Sequence, residues 1–187
     1  MPRILDILVA ALALAILSPF LLVAAIAFEL TSPGPVLYRQ RRVGLAGREF
    51  EMLKLRTMVR GSDPVGVGRV VYRDDPRVTG PGRFLRRTSL DEVPNLVNVL
   101  RGEMSVVGPR PTIEAQVADY TPYQRRQLEV KPGITGWAQV QGRAGIPWEE
   151  RIELDVWYVD HRALSLDLRI LAKTAWLVLT GQGLAPD

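Results

Sequence analysis

The run Leu85-Arg86-Arg87-Thr88-Ser89-Leu90-Asp91-Glu92-Val93-Pro94 brings two adjacent carboxylates, a serine and several cations to what reads as the start of a helix. A helix N-terminus beside arginines attracts phosphate, and a carboxylate held there can attack phosphorus. Neighbouring residues on a helix point about 100° apart, so Asp91 and Glu92 would face different partners, as a nucleophile and a base would. A purely structural reading stands beside this one. Ser89 with Glu92 matches a capping box, and acids in a first turn complement the helix dipole.

Other cations stand where the backbone is extended or stiff. Lys54 shares a strand face with Phe50 and Met52, either as a pocket lysine or as one snorkelling at a sheet edge. Gly108-Pro109-Arg110-Pro111 restricts the backbone on both sides of Arg110, a geometry suited to bidentate phosphate binding. Lys131 through Trp137 and Gln141-Gly142-Arg143 add glycine turns, an aromatic ring and another guanidinium that could frame a base or a sugar.

These groups need elements to carry them. The pattern Leu90, Val93, Leu96, Val97, Leu100 predicts a helix over 89–100, with Pro94 costing it one bond. Residues 115–128 form a weaker helical candidate, 148–161 a further helix, and 167–179 a last one with Asp167 as N-cap. The last could lie on a membrane surface or pack on the core. Val36 to Arg42 and Arg48 to Leu55 predict a β-hairpin joined across Gly44-Leu45-Ala46-Gly47. Residues 60–80, rich in Gly, Pro and Asp, read as a long loop, and Gly66-Val67-Gly68 lacks the third glycine and the βαβ setting of a dinucleotide fingerprint.

Ile4 to Phe28 is almost wholly apolar and, at about 1.5 Å per residue, long enough to cross a hydrocarbon core of about 30 Å. Asp6 and the missing cleavage site argue against a secretory signal. Ser18-Pro19 in the middle of the run predicts a bend, in either a kinked spanning helix or a helix-break-helix hairpin that leaves by the face it entered. Arg3 at one end and Arg39, Arg41, Arg42 and Arg48 at the other favour the hairpin, because both ends carry cytoplasmic-side charge.

The absence of cysteine excludes disulfides, thiolate metal sites and cysteine nucleophiles, and His161 as sole histidine argues against histidine catalysis. About 155 residues remain beyond the apolar run, enough for one domain. A formal net charge of +4, interspersed rather than gathered in a tail, selects no partner by itself. Arginines next to a membrane segment favour anionic lipid and phosphorylated small molecules over nucleic acid.

Together, Tyr38-Arg39-Gln40, Lys54 to Met58, Asp75 to Thr79, Arg86 to Pro94, Met104 to Pro111, Lys131 to Trp137 and Asp155-Val156-Trp157-Tyr158 resemble, in order, the motifs of the bacterial sugar transferase family, the monotopic phosphoglycosyl transferases. The resemblance implies an α+β, mainly helical fold in its minimal catalytic form. A re-entrant membrane helix hairpin would occupy residues 1–30. A catalytic domain over 31–187 would sit on the cytoplasmic face of the bacterial inner membrane, with short amphipathic interfacial helices.

The same resemblance implies that Asp91 attacks the sugar-linked phosphate of a nucleotide diphosphosugar, with uridine the family nucleotide, and that polyprenyl phosphate then takes the phosphosugar. Glu92 matches the assisting base, and Asp91 the ligand of Mg²⁺. Lys54, Arg86, Arg110 and Arg143 match substrate-binding positions. Leu55, Glu103, Gln141 and His161 depart from the family pattern. Two other functions suit the same residues, a membrane-bound nucleotide-sugar hydrolase and a non-catalytic scaffold for anionic lipid. An exposed apolar face could meet lipid or a second copy of the chain.

Overall fold

The computed structural model describes residues 1–31, 34–59, 61–62, 75–142 and 146–180. Most of the loop expected over 60–80 therefore lies outside the described residues. The fold is mainly helical with two small two-stranded sheets.

The chain opens on α1 (Arg3–Thr31), a single helix with Pro19 inside it. The break expected at Ser18-Pro19 does not divide it. Pro19 has no N–H for the carbonyl four residues earlier. Ser18 Oγ donates to that carbonyl, Ala15 O, at 3.1 Å, so the orphaned group is satisfied within the helix.

Both ends of α1 nevertheless rest on the same globular body. Near the start, Arg3 donates to Val99 O and Leu100 O. The buried Asp6 carboxylate accepts from Ser105 Oγ at 2.9 Å and from Val106 N at 2.9 Å. Near the other end, Phe28 is fully buried against Leu55 and Leu85. The opposite face exposes Leu8, Leu12, Ile16, Phe20 and Val23.

The predicted hairpin is present as β1 (Leu37–Val43) and β2 (Glu49–Leu55), antiparallel from Leu37↔Leu55 to Val43↔Glu49. Helix α2 (Gly80–Thr88) begins at an N-cap, Thr79 Oγ1, which accepts from Gly82 N at 3.1 Å. It ends at Ser89, whose φ of 56° places it in the left-handed region.

That conformation corrects the predicted helix from Ser89. A residue in the left-handed region closes the preceding helix and cannot act as an N-cap, which needs extended backbone. The Ser89 side chain makes no capping bond, and its backbone N–H instead donates to Arg86 O at the end of α2. A 3-10 turn over Leu90–Glu92 follows, and α3 (Asn95–Arg101) starts only after Pro94, which has no N–H to return to Leu90 O.

Asn98 on α3 is fully buried and joins three elements. Its Nδ2 donates to Glu51 O and to Glu103 Oε2, each at 2.7 Å, and its Oδ1 accepts from Leu53 N at 3.1 Å. Strand β2 is thereby fixed against the helix that follows the acidic pair.

A short parallel pair, β3 (Ser105–Val107) with β4 (Gly133–Thr135), precedes and faces the Gly108-Pro109-Arg110-Pro111 turn. The two backbones pass so closely that a Cβ on Gly133 would lie 2.1 Å from Gly108 N, and one on Gly136 2.1 Å from Gly108 O. Only glycine fits there.

The helix expected over 115–128 is in pieces: α4 (Glu114–Ala118), α5 (Pro122–Arg125) and a 3-10 turn over Arg126–Glu129. Thr121 before Pro122 is extended and caps α5 with Gln124, which ends the earlier helix. After α6 (Trp137–Gly142), α7 (Trp148–His161) matches its predicted span. The last helix, α8 (Leu164–Thr180), starts three residues before the predicted Asp167. Asp167 does not cap it. The side chain is buried and accepts from Tyr158 Oη at 2.7 Å.

Asn98→Ala would strand Glu51 O and Leu53 N, and a buried unsatisfied group costs about 1–3 kcal/mol. The variant is expected to lose about 2–4 kcal/mol of stability, read by thermal unfolding in detergent.

Candidate active site

A cavity of about 420 Å³ opens where α2, the 3-10 turn, α6, α7 and α8 meet, within the size range of ligand sites. Its lining combines charged groups, Arg86, Asp91, Glu92 and Arg110, with apolar side chains that include Leu96, Ile134, Ala138, Val140 and Val178.

The turn over Leu90–Glu92 brings both carboxylates to the cavity but gives them different partners. Lys54 reaches across from β2 and its Nζ stands 2.6 Å from Glu92 Oε1. Arg110 Nη2 approaches the same oxygen at 3.5 Å from the proline-flanked turn. Asp91 makes no ion pair among the described residues.

The two acids therefore titrate apart. Burial, then the negative charge of Glu92, pushes the Asp91 carboxyl up to about 6, against the pull of Lys54 and Arg86. Burial also acts to raise Glu92, but Lys54 and Arg110 outweigh it and hold Glu92 well below the usual carboxylate range. An unpaired, more basic carboxylate suits nucleophilic attack, and divergent neighbours of this kind mark acid-base assignments.

Each cation is held in turn. Arg86 Nε donates to Thr57 Oγ1 at 2.8 Å, which aims it at the cavity from α2. Arg42 on β1 donates to Pro111 O at 3.1 Å and to Gln40 Oε1 at 2.6 Å. It braces the turn that carries Arg110. Lys54 is thus a site lysine rather than an edge one, and Arg86 and Arg110 join it around Asp91 and Glu92. Arg143 lies outside the described residues.

Sequence reasoning missed Arg42, Gln127, Gln139 and Arg151 as parts of this site, and quoted Asp155 only within a motif. Asp155 on α7 is buried and lines the cavity, as does Arg151 one turn earlier. Gln127 Nε2 donates to Asp155 Oδ2 at 3.0 Å and to Arg110 O at 3.1 Å, and its Oε1 accepts from Tyr120 Oη at 3.0 Å. Burial pushes the Asp155 carboxyl up to about 8, against the pull of the Arg110 backbone, Arg110 and Arg151. A buried acid and an arginine four residues apart on a helix were the available signal.

Among the described residues no group of three His, Asp or Glu side chains forms a metal cluster. Asp91 offers the cavity a carboxylate that makes no ion pair among the described residues. Such a donor fits an ion that takes one or two carboxylates and fills its remaining positions with water and substrate phosphate, as Mg²⁺ does.

The family description "bacterial sugar transferase" matches residues 1–181. The chain belongs to the bacterial sugar transferase family. It is 43% identical over 182 residues to the "Uncharacterized sugar transferase EpsL" of Bacillus subtilis (strain 168), covering 97% of this chain and 89% of that one. A UDP-glucose:undecaprenyl-phosphate glucose-1-phosphate transferase of Caulobacter vibrioides is 46% identical over 186 residues, covering 95% of this chain and 69% of that one. The protein of the same description from Escherichia coli (strain K12) is 43% identical over 91% of this chain, which spans 38% of its length. The chain is accordingly an enzyme of the sugar transferase class, and the cavity with its acidic pair is the candidate active site.

Folded Asp155 keeps its proton to about pH 8, whereas the unfolded chain releases it in the ordinary carboxylate range. Between those values the folded state binds more protons, so this group's contribution to stability falls as pH rises. Asp155→Asn cannot ionise and is expected to flatten that decline. Its melting temperature relative to wild type should rise between about pH 5 and about pH 8, measured by thermal unfolding.

Proposed function

We propose that the chain transfers a sugar-1-phosphate from a nucleotide diphosphate sugar to a polyprenyl phosphate through a covalent intermediate on Asp91. The observation that carries this is the Asp91 carboxylate, which makes no ion pair among the described residues and shares a cavity with Arg86, Arg110 and apolar side chains. Relatives named for UDP-glucose and undecaprenyl phosphate, such as the Caulobacter vibrioides protein, support that pair of substrates. Another from Aeromonas hydrophila, 40% identical over 97% of this chain, is named for UDP-N-acetylgalactosamine.

In the first step an Asp91 oxygen attacks the phosphorus bonded to the sugar, and the bond from that phosphorus to the bridging oxygen breaks. Nucleoside monophosphate leaves with that oxygen. Arg86 and Arg110 stabilise the charge that gathers on the phosphoryl oxygens. In the second step a phosphate oxygen of the polyprenyl phosphate attacks the same phosphorus, expelling Asp91 and forming a polyprenyl diphosphosugar.

Glu92 is the proposed base. While Lys54 and Arg110 both engage it, Glu92 is a weak one. Arriving phosphates compete for those two cations, and their withdrawal raises its basicity where a proton must be taken. Mg²⁺ held by Asp91 would offset the diphosphate charge.

The proposed setting is the cytoplasmic face of the bacterial inner membrane, with α1 re-entrant. Support comes from the two ends of α1 seated on one globular body while its other face is apolar and exposed. Leu168, Trp176 and Leu179 on α8 and Phe84 on α2 are also exposed and suit an interfacial position.

Intact mass after incubation with UDP-sugars is the deciding measurement. Wild type is expected to gain one sugar phosphate, and Asp91→Asn to gain none and to lose at least about a thousandfold in nucleoside monophosphate release. Sustained release without polyprenyl phosphate would instead show hydrolysis. A folded Asp91→Asn protein with full activity would favour the scaffold reading and remove the mechanism.

A further inference from the structure

Among the described residues, three buried polar atoms on side chains that line this cavity have no hydrogen-bond partner: Gln139 Nε2, Gln139 Oε1 and Asp155 Oδ1. Native proteins pair nearly all such atoms, so three in one cavity call for an occupant. Asp155 is 3% exposed. Its other oxygen is engaged by Gln127, which Tyr120 holds in turn, so the carboxyl is fixed with Oδ1 left over. Gln139, the third residue of α6, contributes an entire amide that has no hydrogen-bond partner among the described residues.

The chemistry of these atoms narrows the occupant. A phosphate would gain nothing from the amide oxygen and would oppose the carboxyl. A cation would be repelled by Arg110 and Arg151, which flank Asp155. A nucleobase favours an aromatic face for stacking, and no aromatic side chain lines the cavity among the described residues. Hydroxyl groups both donate and accept, and suit an amide paired with a carboxyl that burial keeps protonated. A sugar on the phosphorus that Asp91 attacks must lie in this same cavity.

We infer that Gln139 and Asp155 form the subsite that binds the hydroxyl groups of the transferred sugar, and so determine which sugar is accepted. This rests on the transferase reading above. A site built to hydrogen-bond a substrate hydroxyl discriminates strongly against a sugar that lacks or misplaces it, because the buried groups are then left unpaired. Relatives named for glucose and for N-acetylgalactosamine differ in the groups such a subsite would meet.

The test is isothermal titration of the full chain in lipid nanodiscs with UDP, UDP-glucose, UDP-galactose and their two N-acetylamino counterparts. Wild type, Gln139→Leu and Asp155→Asn are compared. Gln139→Leu removes no internal hydrogen bond, and Asp155→Asn keeps an oxygen for Gln127, so both are expected to fold. The expected result is that wild type binds at least one UDP-sugar more tightly than UDP. Gln139→Leu should then weaken that sugar nucleotide about tenfold or more while changing UDP by less than about twofold, and Asp155→Asn, which keeps the acceptor and a donor of the protonated carboxyl, should weaken it less than Gln139→Leu does. In turnover, KM for the preferred sugar nucleotide should rise more than kcat falls.

Equal weakening of UDP and UDP-sugar would overturn the subsite, as would unchanged binding of both or a wild type that binds every sugar nucleotide no better than UDP. A wild type that binds neither UDP nor any UDP-sugar would remove the transferase reading itself, and this inference with it.

Discussion

One oxygen atom organises the site. Lys54 and Arg110 both converge on Glu92 Oε1, from a strand and from a proline-flanked turn. With both cations on one acid, its neighbour Asp91 makes no ion pair among the described residues, and the same pairing keeps a full negative charge beside it. A symmetric sharing of the cations would have made two ordinary, weakly basic carboxylates. The asymmetry leaves Glu92 the weaker base while its cations hold it and Asp91 the more basic carboxylate.

That asymmetry depends on parts of the fold that never touch the cavity. Asn98 pins β2 to α3, so Lys54 and Glu92 keep their separation. Gly133 and Gly136 let the Arg110 turn lie directly on β4, where any Cβ would push it away. Arg42 holds Pro111 from the other side, and burial beside Arg110 lowers its own pKa to about 10. Two guanidinium groups are thus held close at a cost that only a rigid surround can sustain.

The hairpin, α7 and the chemical grouping of Lys54, Arg86, Asp91, Glu92 and Arg110 were legible in the sequence, because alternation, helical spacing and paired acids beside arginines are local signals. The turn that carries the acids was not. Ser89 looks like a cap, and only its left-handed backbone, set by how α2 ends, shows that it closes a helix instead of opening one. Pro94 was the visible hint, since the bond it cannot make is the one a continuous helix needs. Asp155, Gln127 and Gln139 were harder still, because their roles come from contacts between residues 17 and 28 positions apart or from bonds that are missing altogether. Asp167 looked like a cap for a related reason: an acid near a helix start has a local explanation, and its burial against Tyr158 and the amino group of Met1 comes from the packing of separate elements.

Helix α1 poses the opposite problem, of a strong local signal with two global outcomes. Straight, its 29 residues would extend about 44 Å, ample to cross a bilayer. Yet Arg3 and Asp6 bond to α3 and β3, while Phe28 is buried against β2 and α2. If the helix crossed, one of those attachments would have to be drawn through hydrocarbon together with the polar body it belongs to. Asp6 sharpens the point, because a carboxylate in an apolar helix is tolerable only while Ser105 and Val106 satisfy it. Its position therefore ties the start of α1 to the domain and, in the proposed arrangement, limits the exposed face to a single leaflet. In the proposed arrangement Asp91 would lie near the lipid boundary, where a polyprenyl phosphate could reach a phosphosugar while its chain stays in the bilayer.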